Sequence, residues 1–158
     1  GVINLTQEST SFIDLEGDVT IEDGEFNVMG GLSYSYWPYL ASGHTLTMTG
    51  GVFNFTDAGI YIYNNNISFS ISGGSIRTAS GFYTATGVNV FTPAGGEVLL
   101  YGTATKTVDI TAGNHFHNLT IDKTSATINA NSDFDIKNLL EVRSGVFNDN
   151  GNNINVGP

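Results

Sequence analysis

Residues 45–55 read TLTMTGGVFNF. Leu46 and Met48 alternate with threonine before the Gly50–Gly51 pair, and Phe53 and Phe55 alternate with polar or small residues after it. Alternation at period two marks a strand with one buried face. Across the glycines, however, the apolar parity moves from even to odd positions of the stretch. A straight strand cannot change parity and keep one face buried. A corner can, and glycine supplies the positive φ that such a bend needs.

The same unit recurs. DVTIEDGEFNV starts at Asp18, SFSISGGSIRT at Ser68, VFTPAGGEVLL at Val90 and LLEVRSGVFND at Leu139. With the first stretch, these place Gly24, Gly51, Gly74, Gly96 and Gly145 at one position, at intervals of 27, 23, 22 and 49. The last interval spans two periods, which predicts a degenerate copy within it, with NLTIDKTS from Asn118 as the candidate. Position two holds Val19, Leu46, Phe69, Phe91 and Leu140; position nine holds Phe26, Phe53, Ile76, Val98 and Phe147. Asn27, Asn54 and Asn148 fall at position ten, where side-chain amides of stacked turns can bond one another.

A strand, a glycine corner, a second strand and a variable loop, repeated every 22–27 residues, predict an all-β, parallel β-solenoid of about 6–7 coils. Coils spaced about 4.8 Å apart would give a rod roughly 30 Å long. The alternative, an antiparallel β-sandwich, accounts for short alternating strands but not for a glycine column followed by a parity switch. The whole chain, 1–158, reads as a single solenoid domain. It opens at Gly1 without methionine or signal peptide, which suggests a processed product or a piece of a longer assembly.

TLTMTGGVFNF, SFSISGGSIRT and AGNHFHNLTIDK (residues 112–123) resemble the degenerate repeats of right-handed, pectin-lyase-like parallel β-helices. In particular they resemble the repeat regions of large secreted bacterial surface and adhesin-like proteins. The resemblance implies a right-handed coil and an extracellular setting, secreted or on the bacterial cell surface. It transfers no catalytic residue. A β-helical lyase needs an Arg or Lys base beside acidic residues, and Arg77 has no acidic column at matching positions.

Composition narrows the partners. The net charge is −10, and no Lys or Arg precedes Arg77. Such a surface repels phosphate backbones and anionic membranes, so nucleic acid is not expected as a partner. No apolar run is long enough to span a bilayer as a helix, so membrane insertion is not expected either. Cysteine is absent, which removes disulfides and thiolate metal sites.

Two clusters stand out as candidate sites. Tyr34, Tyr36, Trp37 and Tyr39 crowd a loop in the longest repeat, with Tyr61 and Tyr63 one repeat later. Inserted loops of solenoids gather on one side and carry contacts, and exposed Trp and Tyr suit a protein or glycan partner. The competing reading is a lid packed on the first coils. Asp14, Glu16 and Asp18 alternate and would share one strand face, offering oxygens to Ca²⁺, the one cofactor the sequence suggests; the competing reading is a solvated acidic face. His115 and His117 make half of a zinc site, with no third His or Cys near in sequence. Neither end carries a helix or charged cap, which predicts self-association end to end or into filaments. The reading is of a non-catalytic structural surface protein; the alternative is a carbohydrate-binding or polysaccharide-processing β-helix using the loop 34–39.

Overall fold

The computed structural model describes residues 1–6, 14–15, 17–29, 39–40, 43–57, 59–62, 66–88 and 90–157. It is an all-β, parallel β-solenoid of about six turns, without helices among the described residues. The first strands are β1 (Val2–Thr6), β2 (Asp14–Leu15), β3 (Val19–Ile21), β4 (Glu25–Met29) and β5 (Tyr39–Leu40). Two regular turns follow, β6 (Thr45–Met48), β7 (Val52–Phe55) and β8 (Ile60–Ile62), then β9 (Ser68–Ile71), β10 (Ser75–Thr78) and β11 (Phe82–Thr84). Beyond them come β12 (Glu97–Gly102) and β13 (Lys106–Asp109), then the long β14 (His115–Ala130) and β15 (Phe134–Asn148), and finally β16 (Ile154–Val156).

Every strand pair among the described residues is parallel, which removes the antiparallel sandwich. The strands form three stacks. One runs β1, β4, β7, β10, β12 and on through the middle of β14 into β15. A second runs β8, β11, β13 and the ends of β14 and β15. The third contains β3, β6 and β9, and resumes in the beginnings of β14 and β15 and in β16. β2 and β5 form a separate short pair.

Register follows from the inward columns. Val19, Leu46 and Phe69 stack, as do Ile21, Met48 and Ile71, so positions two and four of the repeat are core as the sequence predicts. Phe69, Phe91, Phe116 and Phe134 continue the interior as edge-on rings with successive centroids 5.4, 6.0 and 5.5 Å apart. Phe82 sits among them, 4.8 Å from Phe91 and 5.2 Å from Phe116. Phe82, Phe91 and Phe116 are fully buried, each contributing about 2–3 kcal/mol of apolar burial.

The corner explains the glycines. Gly24, Gly51, Gly74 and Gly96 all have positive φ. Stacking adds a second constraint: a Cβ on Gly74 would lie 2.3 Å from the Gly50 carbonyl oxygen of the turn before. The glycine carbonyl is then free to accept from the next turn, as Gly51 does from the Ser75 N–H at 3.0 Å.

Gly145 belongs elsewhere. Leu139 and Leu140 stack on Asn118 and Leu119, which stack on Glu97 and Val98, so residues 139–142 follow the corner rather than precede it. Gly145 therefore turns the chain between the first and second stacks, with φ 82° and a Cβ position 2.3 Å from the Lys123 carbonyl oxygen. Three assignments shift with it. Phe147 stacks on Ile128, not in the Phe53 column; Asn148 pairs with Asn129; and Leu140 leaves the Phe69 column for that of Leu119. The predicted hidden copy exists: residues 118–123 lie in register on β12. Its corner has no glycine, because His117 occupies the place of Gly96, and the Asn118 side chain donates to the Gly96 carbonyl at 2.8 Å.

Candidate functional site

Of the aromatic cluster, Tyr34, Tyr36, Trp37 and Tyr63 lie outside the described residues, and Tyr39 is described only as a strand residue opposite Asp14. Tyr61 is half-buried, and its ring lies 6.0 Å from that of Tyr83 one turn further on. The register stacks Tyr61 on Tyr83, whose hydroxyl burial pushes upward in pKa. A partly open, mostly apolar pocket of about 50 Å³ is lined by Phe53, Phe55, Ile62, Ile67 and Phe82, with Tyr61 itself in its wall.

The acidic candidates divide. Glu16 and the side chain of Asp14 lie outside the described residues. Asp18 accepts the Thr45 backbone N–H at 2.8 Å and sits 3.6 Å from His44 Nδ1, so it fastens one turn to the next. Among the described residues no three His, Asp or Glu side chains converge as metal ligands. His115 is half-buried; burial lowers its pKa, partly opposed by a hydrogen bond to the Pro93 backbone.

Among the described residues the densest polar arrangement is the outer side of the first stack, where the expected amide contact between Asn27 and Asn54 is found and extended. An amide ladder runs along it, Asn54 Nδ2 donating to Asn27 Oδ1 and Asn27 Nδ2 to Asn4 Oδ1, both at 2.9 Å. Tyr101 crosses two turns to donate its hydroxyl to Asn54 at 3.0 Å. Further along, Arg77 Nε donates to Ser75 Oγ, and Ser75 and Thr120 donate to opposite oxygens of Glu97. Arg143 Nη2 lies 2.8 Å from Glu141 and 3.6 Å from Glu97, and so ties two turns separated by a third.

This is an arginine–carboxylate group on one sheet, the kind of cluster on which polysaccharide chemistry would depend. Its electrostatics run the other way. The hydrogen bond that Arg143 donates to Glu141 raises the pKa of the guanidinium, whereas a lyase base needs one brought down toward neutrality. Glu97 is engaged by two hydroxyls and a guanidinium, so its lone pairs serve the lattice.

Two buried polar groups also escaped the repeat pattern. Asn114 Oδ1 accepts the Phe91 N–H at 2.9 Å, while its Nδ2 donates toward the Val88 and Thr111 carbonyls at 2.6 and 3.0 Å, closing a corner. Lys123 is 0% exposed, and its ammonium donates to the Ala79 carbonyl at 2.8 Å, two turns back. Burial brings its pKa down to about 8, helped by the like charge of Lys106. The signal for Lys123 was present: Leu119, Ile121 and Lys123 alternate, which places the lysine on the inward parity.

No known protein family, curated protein or solved structure matches this chain.

Proposed function

We propose that this chain is a non-catalytic structural segment of a secreted or bacterial cell-surface protein, a stalk, adhesin segment or fibre-forming unit that extends by end-to-end stacking. The observation carrying this reading is the uninterrupted parallel stacking of turns, with apolar columns inside and polar side chains bonded from turn to turn outside.

Polar side chains on the outer side of the first stack support a structural role. Those on the first stack make turn-to-turn contacts, Asn on Asn, Ser and Thr on Glu, Arg143 on Glu97, which hold rungs in register. Within this reading the coil is right-handed and of the pectin-lyase-like kind, a likeness supported by the parallel stacks and the recurring glycine corner.

Sedimentation velocity over a hundredfold concentration range, with electron microscopy of the same samples, tests the proposal. Species that lengthen with concentration at constant width are expected. A monomer at every concentration would overturn it.

A further inference from the structure

The third stack presents a different outer side from the first. Leu46, Met48 and Ile71 are buried, so alternation turns the threonines and serines between them outward. Thr20, Thr47 and Ser70 lie opposite one another in unbroken register, and Thr45 lies opposite Ser68. The Ala94 N–H bonds the Ile71 carbonyl at 2.9 Å, which carries the register one turn on and sets Thr92 beside Ser70. The rows 45–49 and 68–72 thus present hydroxyls alone, and the charged Asp18 and Glu22 are confined to the row before them. Thr20, Ser70 and Thr92 are exposed and Thr47 is half-buried. Among the described residues, no hydrogen bond engages the hydroxyls of these four. On the first stack, by contrast, Ser75 and Thr120 spend theirs on Glu97.

From this array we infer that the outer side of the third stack is a contact surface for ice. Its hydroxyls recur about 4.8 Å apart from turn to turn and about 6.6 Å apart along each strand. Both intervals are close to repeats of the water oxygens on the prism face of hexagonal ice, so the array holds water in the order of the crystal. The methyl groups of Thr20, Thr47 and Thr92 add apolar area to the same contact. Other occupants fit less well. A glycan takes an aromatic ring to stack on, a polyanion takes basic side chains, and a protein partner takes an aromatic or apolar anchor. The rows 45–49 and 68–72 turn none of these outward. Contact with ice needs no catalytic group and does not depend on whether chains join end to end.

Nanolitre osmometry with video microscopy of single ice crystals, grown in solutions of the purified chain, tests the inference. Faceted crystals are expected, with a gap between melting and freezing temperatures that widens with protein concentration. Ser70→Lys sets a long charged side chain in the middle of the array and should abolish both effects, as should Thr47→Lys. Ser70→Thr keeps the hydroxyl and should retain both. Thr103→Lys makes the same change of charge at an exposed position between the first and second stacks, and should also retain both. Far-UV circular dichroism verifies that each variant keeps the solenoid. Round, unshaped crystals and no gap at any concentration of the native chain would overturn the inference. So would a folded Ser70→Lys chain as active as the native one, or a loss in Thr103→Lys equal to that in Ser70→Lys.

Discussion

Replacing Lys123 by methionine should remove a rise in stability that the native chain shows between pH 7 and pH 9.5. The amine lies inside the solenoid with a carbonyl as its partner and another lysine as its charged neighbour. Its folded pKa of about 8 lies below the ordinary 10.5, so above pH 8 the unfolded chain holds a proton that the folded chain has released. Stability then increases with pH, by up to about 1.4 kcal/mol per pH unit. Through pH 9.5 this amounts to a ceiling of about 2 kcal/mol, and screening at the corner brings it nearer 1. For a chain of this size that is a few degrees in Tm. The window closes below pH 10, because burial raises the pKa of Tyr83 and Tyr101, and tyrosines held neutral in the fold lose stability as the unfolded phenols ionise. Methionine matches the stem of lysine and carries no charge to bury. At pH 7 the variant should be as stable as the native chain or more so, by roughly 1 kcal/mol, since an unpaired buried charge is the costlier occupant. Urea denaturation followed by far-UV circular dichroism at pH 7.0, 8.0, 9.0 and 9.5 measures both quantities. Parallel pH profiles for the two proteins would refute the reasoning. So would a variant weaker by 2 kcal/mol at every pH, which would make the bond to Ala79 the main support of the corner.

Two comparisons test the corners in the same assay. Gly74→Ala combines a positive φ with a methyl 2.3 Å from a backbone oxygen and should cost at least 3 kcal/mol, whereas Gly87→Ala, at the same φ but in open space, should cost about 1; equal losses would show that stacking plays no part. Asn114→Ala leaves the buried Phe91 N–H without its acceptor and should cost about 2 kcal/mol, and Asn114→Asp should cost more by setting a carboxylate toward the Val88 carbonyl. An Asp variant no weaker than Ala would show that the donor half of the amide is idle.

The solenoid was legible because its physics is local. Period-two alternation fixes which residues point inward, and the parity switch at a glycine fixes a corner, so Leu46, Met48 and Phe53 could be placed without any long-range information. Beyond the Asn27–Asn54 contact, the polar lattice was not legible. Whether Arg143 meets Glu97 depends on turn lengths between them, and a slip of one residue would pair it with something else. Asn4 was missed as a ladder member for the same reason, since only register connects it with Asn27 and Asn54. The aromatic candidates Tyr34, Tyr36 and Trp37 sit in the longest repeat, where the period gives no phase for the loop.

Gly145 shows where counting glycines fails. A solenoid turn has more than one corner, and each can recruit a glycine for the same reason: positive φ, and no room for a Cβ beneath the neighbouring turn. Along the first four copies the glycine column marks one corner, but at His117 that corner closes with an asparagine side chain instead, and glycine reappears at the next corner as Gly145. The residue before it in that stack, Ser125, also takes a positive φ, at 56°, without being glycine. What persists through all the turns is the inward parity of each strand, not the identity of the residue that bends it. Aligning Leu140 with Leu119, both apolar and both after the corner, would have given the observed register; aligning the glycines shifted it by a whole strand. In a degenerate repeat the buried column is the more faithful marker, because burial is required at every rung, whereas a bend can be made by glycine, by a side-chain cap or by a strained serine.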